Sequence, residues 1–475
     1  MGTMGTAETM EAARAAKAGK PARTENLHTE ASFDTLRVPW TAAGQAPEGA
    51  AGFGGAPAGI SASVPAGSSA HKPVPASSTS ERIREIGAAI ESDVIAWRRD
   101  FHRHPELAWQ ESWTQGRLQA ALDALGIPNR PIAGTGLLAT IRGEAPGAYD
   151  SEGRPARRIA LRSDIDALPV LEQTGLDYAS ENEGVMHACG HDCHMAMMLG
   201  AARILRDLRT SLRGEVRILF QPAEEVAGGA ARMIREGALE GVDAIYGAHI
   251  WSDVDAGMVS CEPGKRMANT DWFRVDIEGV GAHGSMPEKG VDAVVVGAEM
   301  VCALQAVVSR GVSAFEPVVV TVGEFHAGTA RNVIAGSAWL SGTIRTWDAE
   351  MREEVPKRLE RIVDDVACAF GATARFSFEP GNCALENDPS CAEHARRAAM
   401  EVLGEQAVGS YQGTLSGEDF SEYLRLVPGV FVFVGTRNPG LGAVYPQHSC
   451  FYTVDESVLA KGSMLAAQWA CDMLA

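Results

Sequence analysis

The chain has 475 residues and a formal net charge of −19 at pH 7. This length allows two domains, and the acidic charge argues against nucleic acids and anionic membrane surfaces as partners, because long-range repulsion would oppose both. Nine cysteines, an odd number spread along the chain, are typical of a reducing compartment and not of a secreted disulfide framework, so we expect a cytoplasmic protein.

The first 79 residues are rich in Ala, Gly, Pro, Ser and Thr and contain few bulky apolar residues. Such a segment cannot bury enough surface to offset its ordering entropy, so residues 1–79 are predicted to be a disordered extension. Order is predicted to begin with Ser80 as the N-cap of a long helix, in which apolar residues recur at helical spacing from Ile83 to Phe101. Pro105 disfavours continuation of this helix.

From residue 80 to 268 short apolar runs alternate with helix-like segments. Predicted strands cover residues 137–142, 159–162, 216–220 and 244–249, and predicted helices cover residues 195–207 and 230–236. The alternation resumes over 379–475, with a helix at 392–403, a strand at 430–434 and a helix at 459–474. This βαβ pattern predicts an α/β catalytic domain made of two chain segments, with a mostly parallel, mixed sheet and helices on both faces.

Residues 269–378 show a different order of elements. A strand, a helix, two strands and a second helix are predicted at residues 272–278, 291–308, 318–325, 338–345 and 351–370. This order is typical of a small ferredoxin-like α+β unit, here inserted into the first domain. Asp292 and Glu299 lie in the most apolar of these segments, which we predict to be too short and too polar to span a membrane.

The densest group of chemically reactive residues is MHACGHDCHM, at 186–195. Cys189 and His191 flank Gly190, and a glycine turn allows a thiolate and an imidazole to converge on one divalent cation. The alternative is an incidental His-rich loop with free thiols. Ligands elsewhere in the chain decide between the two interpretations.

Carboxylates follow two of the predicted strands. Asp164 and Asp166 are two residues apart, so on a strand they would share one face. Glu224 and Glu225 are adjacent and would repel each other without a cation between them. Near a metal one can bind the ion while the other takes a proton from the activated water. The alternatives are a solvated turn for the first pair and a surface pair for the second.

Two histidines are ambiguous when each is considered alone. His249, predicted to close the strand at 244–249, and His448 would each more often be a satisfied core or loop residue than a ligand. Five side chains from four separated loops nevertheless offer metal-binding atoms: Cys189, His191, Glu225, His249 and His448. This number exceeds what one tetrahedral catalytic ion takes while keeping an open position, and two ions about 3.5–4 Å apart that share a water match it better.

The inserted unit carries further polar candidates. The glycine-rich stretch from Gly279 to Gly284 lacks the Lys-Ser/Thr pair of a phosphate-binding loop, so phosphate binding is rejected. Asn332 could be a turn residue, and Arg345 could be a charge at a strand edge. An arginine can also bind a substrate carboxylate through two hydrogen bonds.

In this order the motifs resemble the M20 family of metallopeptidases, specifically the amidohydrolase branch of hippurate, N-acyl-amino-acid and auxin-conjugate hydrolases. The resemblance extends over about 80–475. Its motifs are HRHPEL (102–107), LRSDIDALP (161–169), MHACGHD (186–192), QPAEE (221–225), GAHIW (247–251), GAHGSMP (281–287), RNVIA (331–335), GTIR (342–345), GEDF (417–420) and QHSCF (447–451).

The resemblance assigns roles to individual residues. It implies that the metal ligands are Cys189, His191, Glu225, His249 and His448. It makes Glu224 the general base and Asp166 a residue that orients the ligands. It implies that the inserted unit is a lid that forms a homodimer, and that the substrate-binding residues are His283, which would reach the partner subunit's active site, Asn332, Arg345, which would bind the carboxylate, Gly417 and Glu418.

The reaction expected from this resemblance is hydrolysis of the amide bond of N-acyl or N-aroyl amino acids, through a metal-activated water with Glu224 as the base. Two divalent cations per subunit are expected, Zn or Mn, with Co or Ni as further options. Cys193 and Glu288 depart from the branch, which usually has glycine and histidine there. The alternatives are a dipeptidase or aminopeptidase with the same site and a catalytically silent metal-binding protein. A third alternative, Cys189 as a nucleophile, is disfavoured because His191 and the nearby carboxylates suit a metal site better than a Cys-His pair.

Overall fold

The computed structural model describes residues 78–475, so the predicted extension lies outside the described residues except for its last two positions. In chain order the elements are α1 (Thr79–Arg103), α2 (Ser112–Ala124), β1 (Asn129–Ile132), β2 (Gly136–Arg142), β3 (Arg158–Asp164), α3 (His191–Asp207), β4 (Glu215–Gln221), α4 (Gly229–Arg235), β5 (Ala244–Asp255), β6 (Val259–Ser260), β7 (Gly264–Met267), β8 (Asn269–Glu278), β9 (Ala282–His283), α5 (Ala293–Gly311), β10 (Val318–Ala327), β11 (Val333–Ile334), β12 (Ser337–Thr346), α6 (Ala349–Phe370), β13 (Thr373–Pro380), β14 (Leu385–Asn387), α7 (Pro389–Leu403), α8 (Ser421–Leu424), β15 (Gly429–Arg437) and α9 (Leu459–Met473).

The larger sheet has seven strands in the order β1-β2-β4-β3-β5-β15-β6. Its centre is parallel, with β3 paired to β4 and β5, and β5 paired to β15, whereas the outer strands are antiparallel. Side chains alternate between two buried clusters: Ile159 and Leu161 pack with α1, α3, α7 and α9, and Ala160 packs with α4 on the other face. The predicted α/β class, with a mixed sheet covered on both faces, is confirmed.

The smaller sheet has four antiparallel strands in the order β10-β12-β8-β13. Helices α5 and α6 pack on one face of it and bury a separate apolar cluster that includes Phe273, Leu340 and Leu359. The opposite face carries the alternate residues of the same strands. This arrangement matches the predicted ferredoxin-like order, with β13 as the additional fourth strand.

Several helices and strands begin or end at residues other than the predicted ones. The N-cap of α1 is Ser78 and not Ser80, because Ser78 and Glu81 form a reciprocal capping box. Helix α3 begins at His191 and not at 195, since Gly190 takes a left-handed φ of 92° as its N-cap. Strand β5 continues to Asp255, so His249 lies within it and does not close it. Helix α2 and strand β1 were not predicted.

Helix α5 also differs from its prediction. By length and composition alone it qualifies as a helix that could cross a membrane, with 33% of the tested window buried, although we expected it to be too short and too polar. Its Val296, Met300 and Leu304 are buried against the smaller sheet. A helix that covers the core of a domain passes the same composition test, so this finding is weak evidence of a membrane span.

Leu161 provides a direct test of the larger core. Its side chain is 0% exposed at the centre of β3, so Leu161→Ala should lower the free energy of unfolding by about 2–5 kcal/mol through lost burial and a residual cavity. The control Leu171→Ala, at a leucine that is 57% exposed, should change it by less than about 0.5 kcal/mol. Urea denaturation measures both, and equal midpoints for the two variants would contradict this packing.

Candidate metal centre

The carboxyl ends of three neighbouring strands meet at one edge of the larger sheet. Residues after β3 and β4, and residues of β5, face the loop that begins α3. Gly190 lets this loop approach β5, because a Cβ atom at that position would lie 2.3 Å from Cδ1 of Ile250. A glycine is therefore required between Cys189 and His191 both for its φ and for space.

Cys189, His191 and His249 form one compact group in which the potential ligand atoms all lie within 4.8 Å of one another. The Cys189 Sγ atom lies 3.5 Å from His249 Nε2. His249 Nδ1 donates a hydrogen bond to the carbonyl oxygen of Ile250 at 2.6 Å. Because that nitrogen carries the proton, the Nε2 lone pair is directed towards the thiol and is free to bind a cation.

Cys189 also belongs to a second group, with Glu225 and His448. The Glu225 Oε1 atom lies 3.6 Å from His448 Nε2 and 3.9 Å from His191 Nε2. His448 has a φ of 69°, and its backbone N–H donates to the carbonyl of Ala188 at 2.8 Å. The loop that carries His448 is thereby tied to the loop that carries Cys189.

Two atoms at the centre of these groups lack a hydrogen-bond partner in the described part of the chain. They are His191 Nε2 and Glu225 Oε1, both buried. His191 Nδ1 donates to the carbonyl oxygen of Asp166 at 2.8 Å, so Nε2 is the acceptor whenever the ring is neutral, as it is in a metal-bound histidine. Buried acceptors without donors are costly, so the residues present fit a divalent cation bound by nitrogen, oxygen and sulfur.

Glu224 lies beside these donors and forms a further group of potential ligands with His191 and Glu225. Its Oε2 atom is 3.9 Å from His191 Nε2, and its carboxylate lies within 4.8 Å of the Glu418 and Asp419 carboxylates. Burial first, and then the charges of Glu418 and Glu225, raise the pKa of Glu224 well above its usual value. A carboxylate held close to a reaction centre with a raised pKa is suited to accept and return a proton.

The electrostatics of the pocket are dominated by buried acidic groups. Burial raises the pKa of Glu225 to about 7 although His191 opposes this shift, and burial together with Glu225 raises the pKa of Cys189. Burial lowers the pKa of His191, but Asp164 and Asp166 outweigh it and raise that pKa to about 10. A bound cation would favour the deprotonated form of each ligand, so metal binding would release protons.

A buried arginine donates hydrogen bonds to several of the acidic groups. Arg162, 1% exposed, donates to Asp164 at 2.6 Å and to Glu418 and Asp419 at 2.9 Å each. Asp164 in turn accepts a hydrogen bond from His194 Nδ1 at 2.6 Å, while the other nitrogen of that ring accepts from the backbone N–H of Ile250 at 2.9 Å. No role was predicted for Arg162 or His194. The one sequence signal for a role is their position within the LRSDID and MHACGHDCH stretches.

Four of the five metal-binding candidates, all except His191, line a pocket with a volume of about 520 Å³. Three predicted substrate-binding residues also line it: Arg345, Gly417 and Glu418. Arg345 extends from β12 and is half-buried, and among the described residues its guanidinium makes one hydrogen bond, to the carbonyl of Ile344 at 3.4 Å, and no ion pair. A cation in this position that lacks a carboxylate partner can bind an anionic group of a ligand.

The structure does not bring His283 and Asn332 to this pocket within one chain. Both are exposed in the inserted unit, near strands β9 and β11, where Gly284 N–H donates to the Asn332 carbonyl at 2.9 Å. The role of His283 in the partner subunit's site and the role of Asn332 in substrate binding stay predictions. Of the two departures, Cys193 is buried in α3 and Glu288 is exposed.

Comparison with known proteins gives consistent matches. The sequence model of Peptidase family M20/M25/M40 matches residues 160–471. The chain is 40% identical to N-acetyl-L-cysteine deacetylase of Bacillus subtilis (strain 168), over 79% of this chain and 87% of the relative. It is 44% identical to N-acyl-L-amino acid amidohydrolase of Geobacillus stearothermophilus, over 64% and 80%.

Solved structures agree with these matches. The structure of a dinuclear metal binding peptidase of Bacillus subtilis, a member of the M20 family, superimposes on this chain with a TM-score of 0.70 and 34% identity. The match covers 82% of this chain and 99% of that one. The family model and the relatives confirm the resemblance that the motifs indicated. The chain belongs to Peptidase family M20/M25/M40 and is a hydrolase of amide bonds.

Proposed function

We propose that this protein is a metal-dependent amidohydrolase that cleaves N-acyl amino acids to a carboxylic acid and a free amino acid. The observation that carries this proposal is the presence of Arg345, without a carboxylate partner among the described residues, in the same pocket as the metal-binding candidates and Glu224. An N-acyl amino acid has an amide for the metal centre and a carboxylate for the arginine. The names of two relatives refer to substrates of this class.

Cys189, His191, Glu225, His249 and His448 would hold two divalent cations, Zn or Mn, with Co or Ni as further options. Two overlapping donor groups that share Cys189 support this number, as does the related dinuclear peptidase. When bound, such ions lower the pKa of a shared water and polarise the amide carbonyl.

Glu224 would act as the general base and then as the general acid. It takes a proton from the attacking water while a carbon–oxygen bond forms at the amide carbonyl. It returns that proton to the amine nitrogen as the carbon–nitrogen bond breaks. Asp166 would orient the ligands, since its carbonyl accepts from His191 and its carboxylate accepts from the Glu225 N–H at 3.1 Å. Glu418 would help to fix the adjacent side of the pocket, because its carboxylate accepts a hydrogen bond from Arg162.

We also propose that the inserted unit is a lid through which two subunits associate, and that His283 contributes to the partner's site. The exposure of His283 and its absence from the lining of its own chain's pocket support this role. A cytoplasmic location is proposed as well, and the nine cysteines, all of them free thiols, support it.

Replacement of the proposed base separates catalysis from metal binding. Glu224→Gln should lower kcat about 10²–10⁴-fold with unchanged metal content, whereas Glu225→Gln should lose bound metal because it removes a ligand. Steady-state kinetics on N-acetyl amino acids and elemental analysis measure these effects. Near-normal turnover in Glu224→Gln would show that another group is the base.

Removal of metal should abolish hydrolysis, and adding back Zn, Mn, Co or Ni singly should identify the ions that restore it. A cation at a free concentration a hundred times its Kd should also stabilise the fold by about 2.7 kcal/mol. Thermal unfolding of the chelated and reconstituted protein measures the second effect. Full activity of metal-free protein would refute the proposed function.

Arg345→Gln should lower kcat/KM for N-acetyl amino acids roughly 10- to 100-fold, because hydrogen bonds to a charged group contribute about 1.5–3 kcal/mol. The same variant should hydrolyse the corresponding N-acetyl amino acid amides, which lack the carboxylate, at the rate of the wild type. Arg375→Gln is a matched control, since that arginine is exposed on β13 and pairs with Asp276. An equal loss on acids and amides would contradict carboxylate binding.

A further inference from the structure

The metal-centre pocket adjoins a second hollow of about 530 Å³. The two share three lining residues, Ala227, Trp272 and Asn382. Beyond Trp272 the second hollow is lined by the apolar residues Val226 and Pro380 together with polar groups. The Trp272 indole therefore borders both the metal-centre pocket and the second hollow.

Trp272 is held on a rigid support although it is 38% exposed. Its indole lies directly over Gly381, where a Cβ atom would approach Cζ3 of the ring to 2.5 Å. The Gly381 N–H donates to the buried Asp271 carboxylate at 3.1 Å, and the Gly381 carbonyl accepts from Arg352 at 2.8 Å. Because the support is fixed, the ring offers apolar area to a ligand at little cost in ordering.

Trp272 and Arg345 lie on the same face of the smaller sheet. Trp272 on β8 is opposite Thr343, and Arg345 on β12 is opposite Thr270. The two are therefore diagonal neighbours, which in antiparallel sheets are about 7–8 Å apart. In an N-acyl amino acid the carboxylate and the side chain leave the same carbon atom, so a carboxylate bound by Arg345 places that side chain within reach of the indole.

We infer that Trp272 is a specificity-determining residue that contacts the side chain of the amino acid half of the substrate and favours large aromatic or aliphatic side chains. This inference rests on the proposed function and names its substrate class. Two carboxylates, Glu379 and Glu422, line the outer part of the hollow. Their charge disfavours acidic side chains there.

The test compares two substrate series. One varies the amino acid at a constant acyl group: N-acetyl-glycine, N-acetyl-L-leucine and N-acetyl-L-phenylalanine. The other varies the acyl group on glycine: acetyl, butanoyl and benzoyl. In Trp272→Ala the preference for N-acetyl-L-phenylalanine over N-acetyl-glycine, measured as the ratio of kcat/KM values, should fall about tenfold or more. The activity on N-acetyl-glycine and the order of the acyl series should stay within about threefold of the wild type.

Two further variants make the result specific. Trp272→Phe keeps an aromatic ring and should retain most of the preference. Trp339→Ala removes a tryptophan on the same face of the same sheet but outside both hollows, and should leave the ratio unchanged. A loss of equal size on all substrates, or a change confined to the acyl series, would overturn the assignment of Trp272. A metal-loaded wild type that hydrolyses neither series would instead overturn the proposed function, and the assignment with it.

Discussion

The constraint on which this structure depends is the burial of acidic and imidazole groups at the carboxyl edge of a parallel sheet. Asp164, Glu224 and Glu418 converge there in a space largely shielded from water. On one side Arg162 supplies a positive charge to two of them. On the other side His191 Nε2 and Glu225 Oε1 are buried without partners among the described residues. Buried charge of this kind is tolerated only when it is paired or binds a cation.

The two sheets contribute different residues to the site. The larger sheet delivers the metal-binding candidates, because the ends of parallel strands meet at a single edge. The smaller sheet contributes Arg345 and Trp272 from neighbouring strands, and both line the metal-centre pocket. In our proposal bond cleavage takes place at the larger domain, and the inserted unit recognises the amino acid half of the substrate. Substitutions in the inserted unit can therefore change substrate selectivity without disturbing the metal-binding residues of the larger domain.

Sequence reasoning predicted the fold class, and the structure brings the five predicted donor residues close together, although their role as metal ligands stays a prediction. It could not find the contact between Arg162 and Glu418, since these residues are 256 positions apart and no local pattern links them. It also gave no reason to single out Trp272, because alternation in a strand does not reveal which face borders a ligand. His283 was placed by resemblance alone, and it lies outside the pocket of its own chain.

The most direct test of the account is X-ray absorption spectroscopy at the Zn K-edge of the zinc-loaded protein. With Cys189 as a ligand the spectrum should contain a sulfur neighbour at about 2.3 Å among nitrogen and oxygen neighbours at about 2.0–2.2 Å. In Cys189→Ser that sulfur contribution should disappear. A wild-type spectrum without sulfur, or a sulfur contribution that persists in the variant, would show that the cation does not bind among these residues.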